Sequence, residues 1–164
     1  MSPSMSRSRS RRAALLLTLT TCLASPAPGQ SSPAGTLPLA DVELIRFDAV
    51  NAEAQAKEDA LREAQGLPWR FAVPRDVELT PGQVGTWEAL PSGGWLWRLR
   101  VGADGAHSLN LGFSQFRLPD GAALNVRSAD GEHALRPFTS ADNDEHGELW
   151  TPVLFEQELV IELR

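Results

Sequence analysis

The feature that most constrains the fold is the stretch 107–131, HSLNLGFSQFRLPDGAALNVRSADG, where apolar residues recur at every second position between turn signals. Leu109, Leu111 and Phe113 alternate with Ser108, Asn110 and Gly112, which is the period of a half-buried strand. Phe116 and Leu118 follow in the same manner. Pro119-Asp120-Gly121 then reads as a turn, because proline fixes φ and Asp-Gly accepts conformations that bulkier residues resist. Leu124 and Val126 form the expected return strand of a hairpin, closed by Asp130-Gly131. Side chains here are apolar or neutral where a nucleophile or a metal cage would be needed. The stretch reads as scaffold, not catalyst.

The rest of the C-terminal half has the same style. Trp95, Trp97, Leu99 and Val101 share one face of a predicted strand, with Leu96, Arg98 and Arg100 on the other. Further strands are expected at 134–139, 148–154 and 158–163; in the last, Leu159, Ile161 and Leu163 alternate with Val160, Glu162 and Arg164. Six to eight short strands with regular turn signals predict a mainly β protein, a jelly-roll-like β-sandwich over residues 67–164. One α-helix should precede it. Residues 48–65 (DAVNAEAQAKEDALREAQ) are rich in alanine, with Asp48 suited to the N-cap and Gly66 to a left-handed C-cap. Glu53 with Lys57 and Glu58 with Arg62 are i,i+4 pairs in the favourable order. Val50, Ala54, Leu61 and Ala64 make only a thin apolar stripe, so such a helix must dock on something or be mobile. The helical segment is bounded at 41–66. Pro68, Pro74 and Pro81 divide the next part of the chain into an extended, loop-like approach to the strands.

The N-terminal end reads as a leader. Arg7, Arg9, Arg11 and Arg12 form a cationic start and residues 13–24 an apolar core of signal-peptide length, with cleavage expected near Ala24. Ser10-Arg11-Arg12 hints at a twin-arginine signal and Leu19-Thr20-Thr21-Cys22 at a lipoprotein box; each fits its pattern incompletely. A secreted or periplasmic protein is expected, with no membrane association after cleavage. Residues 25–40, rich in Pro, Ser, Gly and Ala, read as a flexible linker. The only cysteine, Cys22, would leave with the leader, so the mature chain has no disulfide and no thiol chemistry. Eleven of the 15 basic residues and all 21 acidic ones lie beyond position 30, a balance of −10. That charge argues against nucleic acid or an anionic membrane as partner. It fits a cationic protein partner or simple solubility.

Motifs for chemistry are sparse. Asp142-Asn143-Asp144-Glu145-His146-Gly147 is the densest set of oxygen ligands, and Asp142 and Asp144 are weak metal candidates. The EF-hand pattern fails, because His146 and Val153 stand where Asp or Asn and Glu are required. His107, His133 and His146 form no metal-binding pairing and read as surface residues. Gly112-Phe113-Ser114-Gln115-Phe116 lacks the second glycine of a nucleophile elbow, and no cofactor is expected. Trp95 and Trp97, with Trp87 and Trp150, could build an aromatic platform for a sugar or peptide. Because Trp95 and Trp97 share a face with Leu99 and Val101, they read first as sandwich core.

A resemblance then joins these stretches. Glu58-Asp59-Ala60, Gly66-Leu67-Pro68-Trp69-Arg70-Phe71-Ala72-Val73-Pro74, Trp95-Leu96-Trp97-Arg98 and Ser108-Leu109-Asn110-Leu111-Gly112-Phe113 occur in order, followed by Leu118-Pro119-Asp120-Gly121-Ala122, Asp142-Asn143 and His146-Gly147-Glu148-Leu149-Trp150-Thr151-Pro152-Val153. Together they resemble the amino-terminal region of bacterial secreted trypsin-like serine endopeptidases of the lysyl endopeptidase type, over about residues 41–164. In that family the region is a pro-segment, followed by a chymotrypsin-like double β-barrel that holds the catalytic triad. The sequence stops at Arg164, before any such domain, and no triad residue is carried over.

The resemblance implies a non-catalytic, monomeric pro-region. It would assist folding of a protease catalytic domain, in cis or in trans, or hold that domain inactive; it could also be a truncated fragment. The alternative from another class is an exported β-sandwich that binds polysaccharide or peptide through exposed tryptophans. A hydrolase with an unrecognised site ranks last, since no acid, base and nucleophile meet in any motif.

Overall fold

The computed structural model describes residues 33–164. The leader expected at 1–24 and the first part of the expected linker, 25–32, lie outside the described residues. Seven strands and one α-helix are found among those described: β1 (Leu44–Phe47), α1 (Ala52–Ala64), β2 (Thr86–Ala89), β3 (Trp95–Ala103), β4 (Gly112–Phe113), β5 (Leu124–Ser128), β6 (Leu149–Trp150) and β7 (Glu158–Leu163). The protein is mainly β. Its sheet is mixed and does not close into a barrel.

β3 is the spine. Along one edge its first half pairs antiparallel with β2 and its second half parallel with β1; along the other it pairs antiparallel with β7, which in turn pairs with β5. Register sets the core. Leu99 lies opposite Ile161, which lies opposite Val126, and Trp97 lies opposite Leu163, which lies opposite Leu124. Side chains directly opposite one another point to the same face, so these residues line one surface of the sheet. Phe116, Leu118, Phe138 and Leu154 close over it, with Leu79, Val84, Leu109 and Leu149 at the margin. Each fully buried side chain of this size contributes about 1.5–3 kcal/mol. Some of the covering chain is itself paired, in the two-residue ribbon β4–β6 and in the reciprocal Leu109–Leu154 bridge with both N···O distances 2.9 Å.

The opposite face of the sheet is also closed, and it is ionic. Leu96 and Val160 are fully buried there beside Arg98, Arg127 and Glu162. Arg98 pairs with Glu88, Arg100 Nε donates to Glu158 Oε1 at 2.7 Å, and Arg127 Nη2 donates to Glu162 Oε1 at 3.2 Å. Buried charges survive when paired and hydrogen-bonded, and each of these arginines faces a carboxylate on a neighbouring strand. Residues 33–40, the rest of the expected flexible linker, lie across this face instead, continuing through Asp41 and Val42 into β1. Arg98 Nη2 donates to Leu37 O at 2.8 Å, Arg100 Nη1 to Leu39 O at 3.3 Å, and Leu37 N to Glu88 Oε2 at 2.6 Å. Leu39–Asp41 form a single 3-10 turn within this strap.

Other expectations need correction. The segment bounded as helical, 41–66, begins with strand β1, so the helix starts at Ala52 with Asn51, not Asp48, as its N-cap. The tight turn at Pro119-Asp120-Gly121 is present, with Ala122 N donating to Pro119 O at 3.1 Å and Gly121 at φ +85°. It does not close a hairpin, however. β5 takes β7 as its partner on one edge, and on the other it makes isolated bridges at Phe138 and Ala134. The strand expected at 134–139 is reduced to those bridges, and that at 148–154 to β6 and the Leu154 bridge. No helix among the described residues is long and apolar enough to cross a membrane.

Candidate functional site

The helix and the arm after it form a distinct presentation device. Asn51 accepts from Ala54 N at 3.0 Å, satisfying one of the helix's orphan donors. The alanines of α1 and the Glu53–Lys57 pair, 2.8 Å apart, support its interior. Its end is a Schellman motif. Leu67 N donates to Arg62 O at 3.0 Å and Gly66 N to Glu63 O at 2.9 Å, with Gly66 at φ +70°, where a side chain would be strained. Leu67-Pro68 cannot continue the helix, and the chain doubles back along it.

Polar contacts hold the returning arm to the helix. Arg62 Nη2 donates to Pro68 O at 3.2 Å, while Arg70 meets Asp59 Oδ1 through Nε at 3.1 Å and Nη2 at 2.8 Å and Glu58 Oε2 at 3.1 Å. The hydrogen bonds that Arg70 donates to Asp59 and then Glu58 raise its guanidinium pKa above the ordinary value. With Arg70 drawn toward the helix, its neighbours project outward. Trp69 is 85% exposed and Phe71 97% exposed. Leu61, Leu67 and Val77 are exposed as well, and no residue of α1 is buried. Val50, Ala54, Leu61 and Ala64, expected as the buried stripe, all face outward. Residues 68–79 adopt no regular structure and make no backbone–backbone hydrogen bond among the described residues. An exposed aromatic pair on a backbone without ladder partners is a surface suited to a protein partner.

The expected tryptophan platform is split. Trp97 is 5% exposed, buried in the core with Nε1 donating to Val84 O at 2.7 Å, whereas Trp95, two residues earlier, is 62% exposed. Trp87 lies opposite Trp97 in register and is half exposed, its Nε1 donating to Pro81 O at 2.8 Å. Trp150 stands apart on the β4–β6 ribbon, against Gly112, where a Cβ would come within 2.6 Å of its ring. Gly112 is the small residue that the ring requires.

The acidic cluster is built as a turn. Asp142 receives Arg136 Nη2 at 2.5 Å and Nη1 at 3.1 Å, and accepts from Thr139 N at 2.8 Å, completing a capping box around the 3-10 turn Ser140–Asp142. The Arg136 and Thr139 hydrogen bonds pull its carboxyl pKa down to about 2. Asp144 accepts from Glu148 N at 3.2 Å, closing the next turn. His133 sits 2.7 Å from Glu156, and His146 lies 3.5 Å from Glu145; the histidines do not converge. Among the described residues, no group of three or more His, Cys, Asp or Glu gathers as metal donors.

Residues 43–164, from β1 through the helix, arm and sheet to β7, match the family model of the lysyl endopeptidase N-terminal domain. The chain belongs to that family. No solved structure matches it. What is matched is the N-terminal domain of a protease family, not its catalytic domain. Within this lysyl endopeptidase N-terminal domain, sequence reasoning did not single out Trp69 and Phe71 as a surface. Leu67, Trp69, Phe71 and Val73 recur at every second position, as in a half-buried strand, so the local pattern points away from their exposure.

Proposed function

We propose that this domain is the pro-region of a trypsin-like serine protease of the lysyl endopeptidase type, assisting its folding and holding it inactive through surface complementarity. The family match over residues 43–164 carries the reading. The helix and arm support it by offering an apolar, aromatic contact surface off the sheet. The same reading takes the sheet, with the ribbon and loops over its core face, as a jelly-roll-like sandwich. It also takes the chain as exported to the periplasm or medium, as the leader-like residues 1–24 suggest, and as monomeric before it meets the protease. A saccharide- or peptide-binding module would have to work without Trp97, which belongs to the core, and with Trp150 apart from Trp87 and Trp95 on the β4–β6 ribbon.

The test is to refold a lysyl endopeptidase catalytic domain with and without this chain, and to follow amidolysis of a lysine substrate. The reading expects a higher yield of folded protease with the chain present, and suppressed activity while it is bound. The double substitution Trp69→Ala, Phe71→Ala should weaken both effects. Equal yields and unimpeded activity at micromolar concentrations of the chain would sink it.

A further inference from the structure

We propose that the arm carries a built-in processing site, the Arg75–Asp76 peptide bond, for an arginine-directed trypsin-like protease acting in trans. This goes beyond the pro-region reading and does not depend on it. A protease of this class needs a basic side chain that is free to enter its specificity pocket. It also needs several residues of extended backbone on either side, able to pair with it as an added strand. Loop tips and unpaired segments meet those conditions, and regular elements do so only after local unfolding.

The basic residues of the described chain can be compared one by one. Arg98 and Arg100 lie in β3 and Arg127 in β5, in the ionic face. Arg46 lies in β1, tied to Asp104 and Glu158. Lys57 and Arg62 are in the helix. Arg70 is held by Glu58 and Asp59 with 17% of its side chain exposed. Arg117 is exposed, but its neighbours are fastened, Phe116 N to Gly147 O at 2.7 Å and Leu118 to Asn143. Arg136 precedes Pro137, whose ring disfavours cleavage, and Arg164 exchanges two backbone hydrogen bonds with Ala123, both 3.0 Å. Arg75 differs from all of these. It is exposed, makes no hydrogen bond or ion pair among the described residues, and stands inside the stretch 68–79 that has no backbone pairing. Pro74 does not spoil the site. In an added strand, alternate residues pair along one edge, so the amides of Val73 and Arg75 serve while that of residue 74 points away.

Hydrolysis breaks the C–N bond between Arg75 and Asp76 and consumes one water. Its oxygen remains on the new Arg75 carboxylate, and Asp76 leaves as a free amine. Sheet pairing then keeps the two pieces together. The N-terminal piece holds β1 in the sheet beside β3, and the strap at 33–42 stays hydrogen-bonded to Arg98 and Arg100. The nicked protein therefore remains one body, with Trp69 and Phe71 now near a free chain end.

Limited digestion of the full chain with trypsin under native conditions, read by intact mass, tests this. The first cut after residue 32 should fall at 75–76. The two pieces should co-elute on gel filtration in native buffer and separate in urea. Arg75→Gln should abolish that cut and leave the melting temperature unchanged, since the side chain is exposed and makes no hydrogen bond or ion pair among the described residues. A first cut at Arg70, Arg117 or any other described basic residue would overturn the site. Pieces that part in native buffer would overturn the retained-body claim.

Discussion

Asn143 pairs with Leu118 as one strand residue pairs with another. Its Nδ2 donates to Leu118 O and Leu118 N donates to its Oδ1, both at 2.8 Å. The irregular chain at 114–119 covers the core through Phe116 and Leu118, and this side-chain amide supplies the ladder that it lacks. Asn143→Ala would leave the Leu118 N–H and C=O without their partner beside a buried side chain. We expect a loss of about 2 kcal/mol, since each unsatisfied group costs about 1–3 kcal/mol. Urea denaturation followed by tryptophan fluorescence measures it, and a change within experimental error would show that water replaces the amide at no cost.

Glu88 answers Arg98 across the second face of the sheet, where Arg98 is fully buried. Removing Glu88 takes the carboxylate from Arg98 Nε and the acceptor from Leu37 N, and losing one member of a buried ion pair costs about 3–5 kcal/mol. Glu88→Ala should fall in that range by chemical denaturation. Glu88→Leu combined with Arg98→Met should cost less than Glu88→Ala alone, because neither charge then remains. A double variant as unstable as the sum of its singles would show that the pair acts through separate partners.

Asp142 gives the protein an acid-sensitive corner. Its folded pKa of about 2 lies below the ordinary carboxylate value, held there by Arg136 and then by Thr139 N. A depressed carboxyl stabilises the fold fully above its unfolded pKa of about 3.9, and that contribution is lost as pH falls through the folded value. The wild type should therefore lose stability between about pH 4 and pH 2 more steeply than Asp142→Asn. Urea midpoints measured at half-unit steps from pH 5 to pH 2 give the comparison, and parallel curves would show that Asp142 has no part in the acid response.

The core face of the sheet was legible because it is local. Alternation in 95–101 and 159–163 marks which side chains turn inward, and Pro119-Asp120-Gly121 specifies its turn through Gly121. Pairing was less legible, since β1 and β3 join residues such as Ile45 and Val101 that are far apart in sequence. A parallel neighbour leaves no turn signal, so residues 44–47 looked like the approach to a helix. The ionic face misled for a different reason. Arg98, Arg100 and Glu162 alternate with apolar residues as solvent-facing side chains do, and only the strap at 33–42 and the partner glutamates reveal that they are covered. Trp69 and Phe71 had no readable signal of exposure, because exposure depends on whether anything packs over them.

Lys57, the chain's sole lysine, lies on a helix with no buried residue, so its access to a lysine-specific protease is set by the helix's own stability. Helix formation in such a segment is marginal, and each cap matters. The Asn51 side chain bonded to Ala54 N contributes about 1 kcal/mol, the usual worth of an N-cap. Where opening and closing are fast relative to cutting, the cleavage rate tracks the open population, and 1 kcal/mol is about a fivefold change. Asn51→Ala should therefore speed cleavage after Lys57 about fivefold while leaving the sheet's denaturation midpoint unchanged, because α1 does not enter the core. Time-resolved mass spectrometry of the digest reads the rate. An unchanged rate would mean that the arm, gripping Glu58 and Asp59 through Arg70, guards Lys57 more firmly than the cap does. Arg70→Ala would then be the substitution that releases it.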